Sequence, residues 1–460
     1  MKPEISRNDT IVAIATPVGP AGVGILRLSG PQAFVVADRL TREPTPLERR
    51  PPRTLHRTRI LDPDTGETLD DGLIVGFPAP RSFTGEHVVE FHGHGGTVNL
   101  TRLLHAFLTA GARIARPGEF SERAFLHGKL DLAQAEAIAD MIAAGTVDAQ
   151  RAARRQLSGE LSAAVRRCAD LLRTALAYLE ASIDFPDDVG DPDVDAISAL
   201  LRDAREAMSD LLRGANYGRR LREGITVVLT GRPNVGKSSL LNALSGTDRA
   251  IVTPLPGTTR DIVEEQLNLA GIPVRALDTA GLRRTDDPVE RIGVERARRA
   301  AADADVVVGV LDASSPISAD DLDLLSSLSG RPVVLAINKS DCATPDFSLP
   351  SDSLPWAAIP VSARTGQGLP ELAHAIAAAA TAGESETGVA PLVTSIRHER
   401  SLREARTSIE RGLETLESGG EPELVSVDLF AALSHLGAIT GETAREEIIA
   451  GIFARFCIGK

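Results

Sequence analysis

Residues 231–239 read GRPNVGKSS, directly after the β-branched run ITVVLT (225–230) and ahead of SSLLNALSG, which has helical spacing. Gly231, Gly236, Lys237 and Ser238 satisfy G-x-x-x-x-G-K-[ST]. The chemistry follows from the residue types. Glycines let the backbone wrap a phosphate with its N–H groups pointing inward, lysine supplies a compact charge for the β and γ oxygens, and serine offers a hydroxyl to Mg2+. Strand, loop and helix in this order predict a phosphate cradle.

Working outward, strands and helices alternate over 219–383 in the order of a doubly wound parallel sheet, with strand runs ITVVLT, VRALDTA, DVVVGVLD, PVVLAINK and AAIPVSA. Nucleotide motifs fall at the strand ends. PGTTRD (256–261) brings Thr258 and Thr259, hydroxyls that complete Mg2+ coordination and sense a γ-phosphate. DTAG (278–281) brings Asp278 for a water-mediated Mg2+ contact and the Gly281 N–H for the γ-phosphate. NKSD (338–341) selects the base, because the two oxygens of Asp341 match the adjacent N1–H and N2–H donors of guanine, which adenine lacks. SAR (362–364) supplies a further loop to that base.

The nucleotide contacts expected are Asn234, Val235, Gly236, Lys237, Ser238 and Ser239 of the loop; Thr253, Pro254, Leu255, Pro256, Gly257, Thr258 and Thr259; Asp278, Thr279, Ala280 and Gly281; Asn338, Lys339 and Asp341; and Ser362, Ala363 and Arg364. Ser238 and Thr259 are the Mg2+ ligands expected. The motifs resemble Ras-related GTPases of the translation-factor-like class over this segment, with one departure. Leu282 follows DTAG where Ras-type proteins place a glutamine, and leucine cannot orient a water. Catalysis then falls to a monovalent cation with Asn234 as a ligand, or to a carboxylate such as Glu290, which also reads as an ordinary helix-cap acid.

At 460 residues the chain is long enough for two to four domains. Three cysteines (Cys168, Cys342, Cys457) make no disulfide framework, and MKPEISRNDTIVA lacks the apolar core of a signal peptide. These features point to a reducing cytoplasm. No apolar run reaches the roughly 18 residues of a membrane span. A net charge of −13 argues against general nucleic-acid affinity but permits a local basic face. Of 50 basic residues only five are lysine (Lys2, Lys129, Lys237, Lys339, Lys460), which leaves 45 arginines. A point charge on a flexible stem is not replaceable by a planar guanidinium at a tight site, so Lys129 and Lys460, outside the nucleotide motifs, become candidates for chemistry.

Residues 1–126 carry the β-branched runs TIVAIATP, GVGILRLSG, DGLIVGFP and HVVEFHGHGG, which predict a compact α/β domain. The glycines of PVGPAGVGILRLSG read as turns, and His92 and His94 as turn polarity or, less economically, metal ligands. From 127 to 218 the pattern is helical, broken by the acidic loop DFPDDVGDPDVD (184–195). Arg151, Arg154, Arg155, Arg166 and Arg167 make one helix strongly basic, either as a solvated face or as an RNA-contacting one. The G domain spans 219–383, and helices return over 384–460. A module inserted with both ends entering helices is placed to transmit movement.

Several stretches together resemble one family, the tRNA uridine-modification GTPases MnmE (also called TrmE). They are DTIVAIATPVGPAGVGILRLSG, SFTGEHVVEFHGHGG, RPGEFSERAFLHGKLDLAQAEAIADMI, the GRPNVGKSSLLNAL loop, GTTRD, DTAGLR and the terminal FCIGK. The resemblance covers essentially the whole chain. It implies a multidomain α/β plus α fold: an N-terminal α/β folate-binding and dimerisation domain (1–126), a helical domain in two parts (127–218 and 384–460), and an inserted Ras-like P-loop GTPase domain (219–383). It further implies a homodimer that joins the flavin-bearing partner MnmG as a heterotetramer. Together they install an aminomethyl or carboxymethylaminomethyl group on C5 of the wobble uridine of certain tRNAs, with GTP hydrolysis driving the cycle.

By the same resemblance 5-formyl-tetrahydrofolate, or another tetrahydrofolate, is held by Arg27, Glu90, Lys129 and Lys460. The chemistry is consistent: a pterin has a donor edge for a carboxylate, while its glutamate tail and formyl oxygen suit cations. K+ is implied at Asn234, Thr253, Leu255 and Thr258, with Glu290 orienting the water when two G domains meet. Cys457 stands beside Lys460 with two readings open, a nucleophile or a small residue packed in the tail. Two rival classes remain. A ribosome-assembly GTPase that binds RNA without modifying it would be expected to carry an appended RNA-binding module. A membrane-remodelling GTPase would need an amphipathic or lipidated segment, and CIGK fits a prenylation box poorly.

Overall fold

The computed structural model describes residues 9–247, 264–278, 304–328, 330–349, 355–381 and 392–459. The chain divides into two compact units, one of residues 1–139 with 437–460 and one of residues 140–436.

The first unit is built on a six-stranded sheet of β1 (Ile11–Ile14), β2 (Gly24–Ser29), β3 (His56–Leu61), β4 (Thr68–Phe77), β5 (Val88–Gly93) and β6 (Arg113–Ile114). Its order is β3-β4-β5-β2-β1-β6, antiparallel except for the parallel β1–β6 pair. Period-2 alternation decides what each face does. Leu26 and Leu28 of β2 join Val89 and Phe91 of β5 in a core with residues of helices Ala33–Thr41 and Thr97–Thr109. Arg27 and Glu90, at odd positions relative to those, fall opposite one another on the other face, in register. Strand β3 and the two-residue β6 are additions to the four runs legible in sequence; HRTRIL carries two exposed arginines and gives little apolar signal.

A charged network ties this second face together. The Arg123 guanidinium, on helix Glu119–Leu126, donates to Glu86 (3.0 Å), Asp9 (2.6 Å) and Glu119 (3.1 Å), and Arg113 donates to Asp9 (2.7 Å) and Glu119 (2.6 Å). Ser29 Oγ of β2 donates to Glu86 (2.7 Å). Burial alone would raise the Glu119 carboxyl, but the guanidinium of Arg113 and the Arg116 N–H outweigh it and hold the group at about 2. The chain's end returns here. Phe453 and Phe456 pack with Leu132 and Ala135, and the Gly118 N–H donates to Cys457 O.

The second unit combines helices with a second six-stranded sheet. Its strands are β7 (Ile225–Thr230), β8 (Glu264–Leu269), β9 (Ile272–Asp278), β10 (Val306–Asp312), β11 (Val333–Asn338) and β12 (Ala357–Pro360), in the order β12-β11-β10-β7-β9-β8. Five are parallel, as expected. β8 is a sixth, antiparallel edge strand, joined to β9 by Ala270 and Gly271, both in the left-handed region, so the sheet is mixed rather than wholly parallel. Its run EEQLNL is acidic and polar and sends no strand signal of its own.

Helix Glu160–Asp184 buries Leu161, Val165, Cys168, Leu172, Leu176 and Leu179, a one-faced 3.6-residue stripe. The five arginines expected on one helix sit on two, Val147–Leu157 and Glu160–Asp184, because Gly159 breaks the run in the left-handed conformation. The acidic stretch expected to be a loop is partly helical, at Pro186–Val189. Helix Pro422–Thr440 has 19 residues and mean hydropathy 1.3, long and apolar enough by length and composition alone to cross a membrane, while Glu423, Asp428 and His435 interrupt its apolar run. Val425, Leu429, Ala432 and Leu436 on it are buried within the fold.

Helix Ala215–Glu223 is fastened to the middle of the nucleotide sheet and to the end of helix Leu369–Ala380: Arg220 pairs with Asp305 (2.5 Å), whose other oxygen accepts the Thr226 N–H of β7, and Asn216 donates to Thr381 O (3.2 Å).

Removing the centre of the charged network has a defined cost. Arg123→Ala leaves Glu86 and Glu119 short of a buried partner, a loss of about 3–5 kcal/mol. Glu119 adds a pH signature. Since its folded value lies below its ordinary 4.5, its contribution is complete above about pH 4.5 and is lost as pH falls towards about 2. Hydrogen exchange over 119–126 checks both, and protection unchanged by the substitution and by acid would refute the assignment.

Candidate nucleotide-binding site

The carboxyl ends of β7, β11 and β12 bring three motifs together beside the end of β10, the position at which doubly wound sheets bind ligands. The phosphate loop runs from β7 into helix Lys237–Thr247 with Gly231, Asn234 and Gly236 all at positive φ. Glycine is required at two of these for space as well as conformation. A Cβ on Gly231 would stand 2.5 Å from Val310 O, and one on Gly236 would overlap the Asn338 amide nitrogen. Lys237 is buried with Nζ donating to Gly231 O (2.8 Å) and Arg232 O (2.9 Å). Ser238 and Ser239 are exposed on the first helical turn, where a hydroxyl is a hard oxygen donor suited to Mg2+. Val235 is buried, and Asn234 is exposed in the loop.

Asn338 joins the motifs. Its amide nitrogen donates to Val235 O (2.9 Å) and its amide oxygen accepts the Ala363 N–H (3.1 Å), while the side chain is only 2% exposed. Lys339 is left-handed, and its Nζ meets Asp312 Oδ2 at 2.5 Å. Asp341 accepts Ser362 Oγ (2.7 Å) on one oxygen and Arg364 (2.5 Å) on the other. The Ser362 hydroxyl, the Cys342 thiol and the Arg364 guanidinium hold that carboxyl at about 2, so it is an anion at any working pH, ready for a two-donor base edge. Asp278 ends β9 with its Cα paired to Leu229 of β7, next to the loop. Thr253, Pro254, Leu255, Pro256, Gly257, Thr258, Thr259, Thr279, Ala280, Gly281, Leu282 and Glu290 lie outside the described residues.

Two contributors are specified by none of the sequence motifs. Asp312 closes the apolar strand DVVVGVLD at the level of Asn338, a position that itself is a signal. Arg232, inside the loop, pairs at 2.7 Å with Asp321, a buried carboxylate that also completes the capping box of helix Ala319–Ser327 with Ser318.

In the first unit, Arg27 and Glu90 are joined at 2.8 Å, with the Arg27 carbon 5.9 Å from the Phe120 ring centroid and its Nη1 donating to Gly459 O (3.3 Å). Burial would raise the Glu90 carboxyl; the charge of Arg27 outweighs it and holds the group low. Gly459 is buried against β1, where a Cβ would stand 2.5 Å from Ile14 O, so the residue before Lys460 is fixed near Arg27. Lys460 itself lies outside the described residues. Lys129 is exposed and lies beside Gly85, in a loop that Ser29 and Thr84 tie to β2 through a 2.7 Å hydrogen bond. His92 and His94 bond to different carboxylates, Glu90 (3.1 Å) and Asp70 (2.7 Å). Cys457 is exposed, not packed in the tail.

Comparison with known proteins bears on the whole length. A family model described as the MnmE helical domain matches residues 132–457, and one described as the GTP-binding protein TrmE N-terminus matches residues 10–129. The chain is 46% identical to the tRNA modification GTPase MnmE of Heliobacterium modesticaldum, over 98% of this chain and 100% of that one. It is likewise 46% identical to the protein of the same description from Chloroflexus aurantiacus, over 98% and 100%. Among solved structures, the FeoB G-domain of Methanococcus jannaschii aligns with 34% of this chain and 97% of its own at 28% identity, with a TM-score of 0.25.

Gly236→Ala combines a strained left-handed residue, about 1–3 kcal/mol, with displacement of the Asn338 amide from Val235 O. Guanine nucleotide affinity should drop by about a hundredfold in titration calorimetry. A variant that binds as tightly as the parent would show that the loop and Asn338 do not form one site.

Proposed function

The chain belongs to the MnmE family of tRNA modification GTPases, and we propose from this premise how its two polar sites divide the work. The protein is a GTPase acting in tRNA modification, and GTP binding follows from that family. In our reading it acts in the cytoplasm as a homodimer, paired with MnmG in a heterotetramer. The complex installs an aminomethyl or carboxymethylaminomethyl group at C5 of the wobble uridine of certain tRNAs. Identity over the full length to proteins of that description leaves the ribosome-assembly reading without a supporting observation.

The observation that carries the division is the Arg27–Glu90 pair. A charged pair at cross-strand register on the face away from the apolar core, with the chain's terminal glycine brought to Arg27, is a costly arrangement to keep unless it binds something. A tetrahydrofolate bound there supplies a one-carbon unit. Glu90, held ionised by Arg27, would accept the donor edge of a pterin, and Arg27, Lys129 and Lys460 would pair with its carbonyl and carboxylate oxygens. The His92 imidazole at 3.1 Å from Glu90 fixes the second carboxylate oxygen.

At the nucleotide site, Lys237 would exchange Gly231 O and Arg232 O for phosphate oxygens, Ser238 and Thr259 would hold Mg2+, and Asp341 would select guanine. With Leu282 unable to orient water, the charge between the phosphates would be offset by K+ at Asn234, Thr253, Leu255 and Thr258, and Glu290 would position the water.

Two measurements separate these parts. Mass spectrometry of tRNA nucleosides from cells lacking the gene should show wobble uridines without the C5 group; an unchanged nucleoside profile would reject the modification reading. GTP turnover should exceed that in Na+ by at least about tenfold when K+ is present, and fall roughly a hundredfold in Glu290→Ala with binding retained. Equal rates in the two salts would dismiss the cation, and a parental rate in the variant would dismiss Glu290.

A further inference from the structure

The guanine motif NKSD contains a lysine whose ammonium is claimed by a carboxylate from another strand. Asp312 closes β10, and its Cα is in register with Asn338 of β11, one residue before Lys339. The side chain of Asp312 is 13% exposed. Its two oxygens have separate tasks. Oδ1 accepts the Ser314 N–H (2.9 Å) and the Ser314 hydroxyl (2.6 Å), a local turn that any Asx side chain could make. Oδ2 meets Lys339 Nζ at 2.5 Å. The backbone around the pair is also cross-tied, by Ala313 N–H to Asn338 O and Thr344 N–H to Ala313 O, both at 2.9 Å. Lys339 needs such restraint. It stands in the left-handed region, between Asn338, fixed by two buried hydrogen bonds, and Asp341, fixed by Ser362, and its long stem would otherwise sample several rotamers.

We infer that Asp312 is a positioning residue for guanine nucleotide binding: through Oδ2 it anchors the Lys339 ammonium, and so holds the lysine stem beside the base edge that Asp341 recognises. The inference deepens the GTP-binding reading and rests on it. Burial would raise the Asp312 carboxyl, and the Lys339 and Ser314 hydrogen bonds reverse that, so the anion is the form present. A neutral amide at 312 would keep the turn with Ser314 and lose the charged anchor, because its Oδ1 still accepts while its nitrogen would face an ammonium that only donates.

The test is a double-mutant cycle on the full chain with fluorescent GDP. Asp312→Asn should weaken GDP binding about tenfold, mostly through faster dissociation, as expected for one partly exposed charge-assisted hydrogen bond. In a Lys339→Met background the same substitution should change affinity by less than about twofold. Parental affinity in Asp312→Asn, or an equal loss in both backgrounds, overturns the inference, since a merely structural aspartate would act without Lys339. If Asp312→Asn does not fold, Asp312→Ser, which also keeps an acceptor for Ser314, takes its place in the cycle. Asp341→Asn serves as the control on the underlying reading: it should shift preference from guanine towards xanthine nucleotides. Failure of that shift condemns the guanine site itself, whereas a normal shift with an additive cycle condemns only the role of Asp312.

Discussion

The nucleotide half of the protein depends on one buried amide. Asn338 reaches Val235 O in the phosphate loop and the Ala363 N–H in the base loop, so a single side chain joins segments 103 and 25 residues away in sequence. Both groups it satisfies are backbone groups at loop positions, and a buried backbone group without a partner costs about 1–3 kcal/mol. Loops that have no secondary structure of their own are thereby held at fixed spacing. Asparagine suits the task because one planar group donates and accepts on opposite sides. Aspartate would present no donor to Val235 O and would bury a charge.

The first unit solves a comparable problem with charge. Arg123, Glu119 and Glu86 are largely withdrawn from water, an arrangement that is unfavourable for any of them alone. Each carboxylate is met by more than one donor, and the planar Arg123 head serves three carboxylates at once. The outcome is positional. The loop at 84–86, strand β2 and helix Glu119–Leu126 are fixed to one another, and these same elements border Arg27 and Lys129. Where apolar contact specifies only that surfaces meet, bidentate ion pairs specify the angle at which they do.

What could be read in the sequence differed by the range of the interaction. The phosphate loop, the five parallel strands and the base motif are local: Gly231 and Gly236 announce positive φ, and apolar runs such as VVVGVLD announce buried strands. Strands β3 and β8 were illegible because HRTRIL and EEQLNL owe their pairing to a neighbour rather than to their own composition. Arg123 and Asp312 were missed for a related reason. A charged residue looks solvated until the partner is seen, and the partners here lie 37 and 27 positions away. The break at Gly159 was available in principle, since glycine in a helical run signals an end, but its helical flanks outweighed it.

The imbalance of 45 arginines against five lysines acquires a physical sense from these contacts. Arginine is used where the partner is a carboxylate and the geometry is forked, as at Arg113, Arg123 and Arg364. Lysine survives where the partner geometry is not forked. Lys237 places one ammonium between two backbone carbonyls of the phosphate loop, and Lys339 threads its ammonium onto a single carboxylate oxygen. A guanidinium at 237 would offer its donors in a plane, whereas phosphate oxygens approach from several directions. A genome that drifts towards arginine can therefore convert most surface lysines freely, but not these. The rarity of lysine is itself a filter for sites that need a point charge, and Lys129, exposed beside the close-packed Gly85, passes that filter without belonging to any nucleotide motif.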